Sequence, residues 1–338
     1  MDKNNNFTIK PKYCGNLEGH SGSVTSIVTG HSMVDGKEND ILVSGSRDKT
    51  LLIWKINHDV EHNEDTPFGE PFVSLTGHNH FISDLSLSSD QIHLLSSSWD
   101  KSLRLWSLKT GKCVKRFSHP GQKEILSTAF SADGRQVFSS GSDNKLSLWN
   151  TKGEFVTSSE KNNHTDWVSK IKYSQSAKNK FYASVGWDGH LKIWSEFFKL
   201  SMSVKAHEGP IYALAISYNG SYIATGGKDQ VVRLWKVGEF ENPCKEFKLD
   251  SNITDLAFHP EMQWIAVASE NHVSCFEIMG ENDKPFSQEK PVVKEKHRLE
   301  VKPKFTSVAW SRSGKYLYAG ATDAIIRVYY IDINNESA

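Results

Sequence analysis

The stretch Leu42–Trp54, LVSGSRDKTLLIW, joins two short apolar runs through a polar turn and ends in tryptophan. Branched apolar runs this brief, separated by a tight turn, are typical of paired β-strands rather than of a helix. The stretch also contains Ser44 and Asp48, and His20 stands upstream. Serine, histidine and aspartate together can form a hydrolytic site, so the sequence must distinguish a catalytic set from a structural one.

The spacing between the turn aspartate and the final tryptophan recurs along the chain. Asp48 precedes Trp54 by six residues, and four further Asp–Trp pairs keep this spacing, as do Glu270 before Phe276 and Asp323 before Tyr329. Successive copies lie 41 to 53 residues apart, which is the period of a propeller blade of four strands. Seven copies therefore predict an all-β protein with a seven-bladed β-propeller fold.

One domain over residues 1–338 is expected, because a single blade exposes two apolar faces that only stacking in a ring can bury. A strand at residues 7–14 is predicted to complete the seventh blade and close the ring. A protruding loop is predicted at residues 280–304, which are rich in Lys, Glu and Pro. The predicted blades are residues 17–57, 75–110, 117–152, 164–200, 204–240, 247–280 and 304–333.

The histidine and serine of the first copy recur as well. Copies one to five have an upstream His, a Ser or Thr four residues before the turn Asp, and the final Trp; copies six and seven lack the His. Co-occurrence in five copies fits a buried hydrogen-bonded relay, whereas a catalytic set is needed once. We interpret these residues as a structural relay and expect no catalytic residue: His20, Ser44, Asp48, Trp54; His78, Ser96, Asp100, Trp106; His119, Ser139, Asp143, Trp149; His164, Ser184, Asp188, Trp194; His207, Thr225, Asp229, Trp235.

Composition excludes several classes of function. The chain has 40 basic and 40 acidic residues, so no whole-molecule field attracts nucleic acid or anionic membrane. No apolar run is long enough to span a bilayer and the N-terminus lacks the apolar core of a secretory signal. The four cysteines are scattered without a CxxC pair. We therefore expect an intracellular, reduced protein without membrane insertion.

Motifs for metals and cofactors are weak. His58–His62, HDVEH, matches the pattern of some zinc proteases, but it lies in a short polar connection with no apolar face to anchor a helix. No glycine-rich segment opens a helix, so no nucleotide cofactor is predicted. The sequence predicts no metal, no cofactor and no small-molecule substrate.

Basic residues are concentrated in the repeated turns. Any exposed turn favours lysine, so a solvated surface explains them; alternatively, turns of consecutive blades lie on one rim, and their charges form a local basic edge that neutralises phosphates. These residues flank the repeated aspartates: Arg47, Lys49, Lys101, Lys145 and Lys228.

Five stretches of the sequence carry a family resemblance: GHNHFISD (77–84), SSSWDKSLRLW (96–106), VGWDGHLKIW (185–194), ATGGKDQVVRLW (224–235) and SVAWSRSGKYLYAGATDAIIRVY (307–329). They resemble the receptor for activated C kinase family, eukaryotic WD-repeat scaffold proteins, although none of the tryptophans that end copies one to five is followed by aspartate. The resemblance covers essentially Phe7 to Ile333, and it departs at Met33–Asp40, at His58–Glu70 and in a weak sixth copy.

This resemblance implies a non-enzymatic cytoplasmic scaffold on the small ribosomal subunit, which links protein kinases and translation factors to translation. In the family the Arg and Lys of the first-blade turn contact ribosomal RNA, which implies that role for Arg47 and Lys49, with Lys101 and Lys145 as a further basic rim. The resemblance also implies a partner site in the 280–304 loop.

Two rival functions make different demands on the sequence. A heterotrimeric G-protein β subunit has a long heptad-bearing helix before the first repeat, whereas only 16 residues precede Leu17, with Pro11 and no heptads among them. A propeller enzyme has a non-repeated cluster of titratable residues at its central channel, and the sequence predicts none.

Overall fold

The computed structural model describes residues 11–34, 37–57, 68–159, 162–174, 176, 180–279, 292–300 and 303–331, with residues 31–34, 37–39, 279 and 300 described by their backbone alone. Every regular element in these ranges is a β-strand, and 28 strands form seven four-stranded antiparallel sheets. In the same ranges no helix has the length and apolarity needed to cross a membrane.

Each sheet is one blade, and in blades one to six the strands follow chain order from the ring axis outward. The strands of blades one to three are β2 Val24–Val34, β3 Lys37–Ser46, β4 Leu51–Ile56 and β5 Gly69–Leu75; β6 Ile82–Leu87, β7 His93–Ser98, β8 Leu103–Ser107 and β9 Lys112–Phe117; β10 Ile125–Phe130, β11 Gln136–Gly141, β12 Leu146–Asn150 and β13 Phe155–Ser158.

Blades four to seven repeat the arrangement, and β1 is the outermost strand of blade seven. Their strands are β14 Val168–Tyr173, β15 Phe181–Gly186, β16 His190–Ser195 and β17 Leu200–Lys205; β18 Ile211–Ile216, β19 Tyr222–Gly227, β20 Val231–Lys236 and β21 Lys245–Lys248; β22 Ile253–Phe258, β23 Trp264–Ser269, β24 His272–Met279 and β25 Val292–Glu300; β26 Phe305–Trp310, β27 Tyr316–Ala321, β28 Ile325–Tyr330 and β1 Lys12–Glu18.

The N-terminal strand closes the ring, as predicted, but lies further along the chain than residues 7–14. It pairs antiparallel with β28, with Leu17 opposite Ile326. Leu17 is fully buried among Phe68 and Ile326, in the core between blades seven and one. This apolar anchor extends the strand to Glu18, and residues 7–10 of the predicted strand lie outside the described residues.

The predicted blade boundaries are wrong by one strand in blades one to six, because they omit the outermost strand of each of these blades. The predicted blade 17–57 ends at β4, whereas the sheet continues with β5. Outermost strands are the most exposed: five of the six residues of β9 are exposed, and exposed residues alternate along β17. Such strands carry no repeated motif, so the sequence copies end at the third strand.

The predicted loop at residues 280–304 is also corrected. Its second half forms β25, which pairs with β24 and places Val293 opposite Ile278 and Leu299 opposite Val273. Val293 and Leu299 pack on the core beside blade six, while Lys294 and Glu295 are exposed. Because polar and apolar residues are mixed along β25, the sequence of this outermost strand resembles that of a loop. Residues 280–291 and the motif at His58–His62 lie outside the described residues.

The hydrophobic core lies between neighbouring blades. Trp106 of blade two, for example, packs with Leu51, Ile53 and Leu75 of blade one. Because each sheet is apolar on both faces, every blade needs a neighbour on each side, and only a closed ring supplies one to all seven.

Candidate functional site

In blades one, two, four and five, hydrogen bonds join the four residues of the relay. In blade one, His20 Nδ1 lies 2.9 Å from Asp48 Oδ2 and His20 Nε2 lies 2.7 Å from Ser44 Oγ. The indole Nε1 of Trp54 donates to Ser44 Oγ at 2.8 Å. The same three contacts join His78 with Ser96, Asp100 and Trp106, His164 with Ser184, Asp188 and Trp194, and His207 with Thr225, Asp229 and Trp235.

The relay ties two loops of each blade together. Asp48 also accepts hydrogen bonds from the backbone N–H of Ser21, before the first strand, and of Thr50, inside the turn. Burial raises the pKa of Asp48, but the bonds from His20, Thr50 and Ser21 outweigh it and hold that pKa well below its usual range. The side chain of His20 is 0% exposed, so the imidazole is buried and its hydrogen bonds hold the two loops together.

Blade three departs from the prediction, because His119 is not part of the relay. Trp149 still donates to Ser139 at 2.9 Å, but His119 is exposed and lies against Phe155 with ring centroids 4.3 Å apart. His119 stands six residues before the first strand, at Ile125, whereas His20 stands four before Val24. The longer loop carries the imidazole away from Asp143, a difference in spacing that the sequence itself contains.

The turns between second and third strands share one conformation. The residue after the aspartate has positive φ in most blades: Lys49 (75°), Lys101 (65°), Asn144 (66°), Gln230 (68°) and Ala324 (72°). This left-handed residue lets the chain reverse while the aspartate points inward. We call the side of the ring formed by these turns and by the loops preceding the first strands the turn face.

The predicted contact residues lie on the turn face. Arg47 and Lys49 are exposed on either side of the inward-pointing Asp48. The Arg47 guanidinium lies over the ring of Phe81 in blade two, 5.5 Å from its centroid. Both charges thus project from a turn that the relay fixes from beneath.

The further basic rim is only partly free. Lys101 is exposed, and its Nζ lies 3.8 Å from Glu124 Oε1 in blade three. Such an exposed pair is worth at most about 1 kcal/mol, so Lys101 remains able to exchange Glu124 for another anion. Lys145 and Lys228 are exposed on the same face.

The sequence predicts no cluster of titratable residues at the central channel, and this prediction is wrong. Asp84 Oδ1 lies 3.0 Å from Lys170 Nζ, and Asp84 Oδ2 lies 3.8 Å from Lys172 Nζ. Ser26 and Ser127 also donate hydrogen bonds to the Asp84 carboxylate. Burial raises the pKa of Asp84, but Lys170, Lys172 and Ser127 together lower it to about 2. Asp84, Lys170, Lys172 and Ser26 line the cavity at the ring axis, which has a volume of about 380 Å³.

This channel cluster forms an ionic clamp between blades. Asp84, from blade two, meets Lys170 and Lys172, from blade four, so charge is compensated across the ring. Asp255 of blade six lines the same cavity and accepts a hydrogen bond from the backbone N–H of Val308 at 3.0 Å. Among the residues that the structure describes, no group of three or more His, Cys, Asp or Glu side chains could hold a metal ion.

The sequence does contain a signal for the clamp. The third residue of each innermost strand is an equivalent position in the repeat. It is Ala213 in blade five and polar or charged in the other six blades: Ser26, Asp84, Ser127, Lys170, Asp255 and Ser307. An alignment of the copies on the Asp–Trp spacing does not reveal this position, because the residue type there differs from copy to copy.

Comparison with known proteins places this geometry in a family. The protein-family model described as "WD domain, G-beta repeat" matches the sequence at residues 11–55, 69–107, 111–150, 155–195, 198–236, 242–277 and 294–329. The chain is 38% identical over 323 residues to the small ribosomal subunit protein RACK1 of Drosophila melanogaster, covering 95% of this chain and 97% of the relative. The chain belongs to the RACK1 family of WD-repeat proteins.

Other relatives are equally similar. The small ribosomal subunit protein RACK1 of Caenorhabditis elegans is 38% identical over 326 residues, 95% of this chain and 97% of that protein. The cross-pathway control WD-repeat protein 2 of Flammulina velutipes is 38% identical over 322 residues, 95% of this chain and 98% of that protein. The RACK1-family likeness therefore extends over the whole propeller rather than over isolated repeats.

The matched repeats explain how the ring is held closed. The first repeat, residues 11–55, begins with β1 of blade seven and ends with β4 of blade one, and the second, 69–107, begins with β5 of blade one and ends with β8 of blade two. Each WD repeat thus takes its outermost strand from one blade and three strands from the next. Neighbouring blades of this RACK1-family propeller are therefore covalently interlocked.

Proposed function

We propose that this protein is a non-enzymatic scaffold that docks on the small ribosomal subunit through the turn face of blade one. In this proposal Arg47 and Lys49 contact ribosomal RNA. The observation that supports this proposal is that Asp48 and its two neighbours point in opposite directions. The Asp48 carboxylate is bound inside the blade, while Arg47 and Lys49 are both exposed. Two relatives similar over nearly the whole chain are named small ribosomal subunit proteins, which supports this partner.

The two cations have complementary roles in such a contact. The Arg47 guanidinium can donate two parallel hydrogen bonds to one phosphate, whereas Lys49 acts as a mobile point charge. Lys101 and Lys145 extend the same face toward blades two and three, as a further basic rim. Because the whole chain has zero net charge, binding depends on this local patch and on the counterions it releases.

The remaining surface serves protein partners in this proposal. Protein kinases and translation factors bind the faces that the ribosome leaves free. The protein acts in the cytoplasm, without membrane insertion and without a small-molecule substrate. The relative from Pyricularia oryzae is named MST50-interacting protein 11, a name that describes binding to another protein. The buried relay and the charge-compensated clamp support a role without catalysis, since neither offers a free nucleophile or base.

A charge reversal tests the ribosomal contact directly. Arg47→Asp combined with Lys49→Glu should release the protein from small subunits on a density gradient at near-physiological salt, with melting behaviour nearly unchanged. The matched control is Arg312→Asp with Lys315→Glu, two exposed cations between β26 and β27 on the opposite side of the ring. If the folded turn-face variant sediments with the subunit as fully as the control, the assignment of this turn is wrong.

A further inference from the structure

Six aromatic side chains lie end to end on the turn face, outside both the relay and the clamp. We call them the aromatic arc: Phe81, His80, Trp99, Trp167, Trp187 and Tyr212. At one end Arg47 lies over Phe81, and the Phe81 and Trp99 ring centroids are 6.1 Å apart. His80 lies nearly parallel to Trp99, at 5.8 Å and 17°.

The arc continues across the ring. Trp99 of blade two meets Trp167 of blade four edge-on, at 6.3 Å and 88°, so the contact passes over blade three. Trp167 lies 4.6 Å from Trp187, which lies 6.2 Å from Tyr212 of blade five. The rings form a continuous strip that begins at Arg47.

The relay holds these rings in place. Trp99 and Trp187 directly precede the relay aspartates Asp100 and Asp188, while Phe81 and Trp167 directly precede the first strands of blades two and four. The loops and turns that carry the rings are the ones that the His–Asp bonds join. The arc is therefore presented in a fixed arrangement, which lowers the entropy lost on binding.

The arc is surface rather than core. Trp99 is 36% exposed, while the relay tryptophan Trp106 is 2% exposed. His80 is exposed, and the remaining rings of the arc are partly exposed. A rigid set of aromatic rings at the surface of a soluble protein marks a binding surface.

Charge identifies the ligand that fits. The Arg47 end of the arc is flanked by exposed cations on blades one to three, and the acidic Glu124 among them pairs with Lys101. Exposed acids, Asp166 and Glu208, lie toward the opposite end. The exposed cations are Arg47, Lys49, Lys101, Lys123 and Lys145. The surface thus combines a basic edge with planar rings.

We propose that the aromatic arc is a stacking platform for an unpaired RNA strand whose phosphates Arg47 and Lys49 hold. This rests on the proposed function, which assigns those two cations to ribosomal RNA. Cations along a strand's backbone with aromatic rings beneath its bases are the features by which proteins bind single strands. A duplex keeps its bases stacked inside and engages the cations alone, and an acidic peptide has no series of planar groups to match the strip.

The test uses purified full-length protein and one fluorescein-labelled, uridine-rich RNA of about 12 nucleotides, either unpaired or annealed to its complement. The parent binds both forms, and Trp99→Ala weakens binding of the unpaired strand roughly tenfold while leaving the duplex unaffected. The matched control is Phe197→Ala, which removes a ring that is 92% exposed in the turn between β16 and β17, on the opposite side. Melting curves establish that both variants fold.

The outcomes separate this proposal from the one it rests on. If Trp99→Ala binds unpaired RNA as tightly as the parent, the stacking platform is wrong. If it loses the small subunit but keeps the unpaired RNA, the arc binds a ribosomal protein instead, which also overturns the platform. If Trp99→Ala loses unpaired RNA while the Arg47→Asp, Lys49→Glu variant stays on the subunit, the platform stands and the ribosomal contact fails.

Discussion

His78 Nδ1 lies 2.8 Å from Asp100 Oδ2, and this bond fixes the loop before β6 to the turn between β7 and β8. His78→Ala leaves Asp100 and Ser96 without their imidazole partner, so the free energy of unfolding should fall by about 1–3 kcal/mol. His119→Ala is the matched control, because His119 is exposed and outside the relay; its effect should stay within about 0.5 kcal/mol. Urea melts compare the two, and equal losses would contradict the structural reading of the relay.

Blade five should tolerate loss of its histidine better than blade two. There the Arg233 guanidinium also donates to Asp229 Oδ2 at 2.9 Å, so the carboxylate keeps a cationic partner when His207 is removed. We expect His207→Ala to cost about 1 kcal/mol less than His78→Ala. Adding Arg233→Ala to His207→Ala should cost more than the two single losses summed, because the double variant leaves Asp229 with the backbone N–H of Val231 but with neither of these two side chains. Strict additivity in the melts would show that Arg233 does not substitute for the imidazole.

The fold is predictable from the sequence because its main signal is local. The spacing from Asp48 to Trp54 lies within one hairpin, and it repeats because each blade buries the same indole and carboxylate. The outermost strands are not predictable in this way, since β9 exposes five of its six residues and β17 exposes every second one, so many different polar sequences can form them. The sequence does not predict β25 as a strand for the same reason.

The candidate site is less predictable than the fold, because it depends on distances around the ring. Asp84 and Lys170 are 86 residues apart in the chain, and only ring closure brings their charges together. Trp99 and Trp167 likewise meet across an intervening blade. The loss of His119 from the relay depended instead on a two-residue difference in loop length, which comparison of the copies can detect.

The channel clamp should be strongly non-additive. Lys170→Ala removes the nearer cation from the buried Asp84 and leaves it the more distant Lys172 and the two serine hydroxyls, so the free energy of unfolding should fall by about 3 kcal/mol. Adding Asp84→Ser restores the residue type found at the equivalent position in blades one, three and seven, so the double variant should recover a large part of that loss. If the double variant loses as much free energy of unfolding as the two single variants together, the two charges do not interact.

Acid should destabilise the protein in two stages. Burial outweighs the bond from Asp100 and lowers the pKa of His78, and burial likewise lowers that of His164, so the unfolded chain binds these protons first as the pH falls through about 6.5. The pKa of Asp84 is lowered to about 2, so stability falls again from about pH 4 downward. Melting temperatures measured from pH 7.5 to 3.5 test this, and His78→Ala should flatten the first stage. A melting temperature that stays constant between pH 7 and 5 would contradict a lowered pKa of these two histidines.

Salt dependence distinguishes the roles of the two turn cations. Lys49→Gln removes one phosphate-neutralising charge, so the slope of log affinity for the small subunit against log salt should decrease by about one. Arg47→Lys keeps the charge but loses the forked hydrogen bonds, and it should weaken the association several-fold with an unchanged slope. Sedimentation across a potassium chloride series measures both quantities. Because Lys49 and Arg47 flank the same inward-pointing Asp48, the two variants differ in chemistry rather than in location. Equal slopes for Lys49→Gln and the parent would remove Lys49 from the phosphate contact.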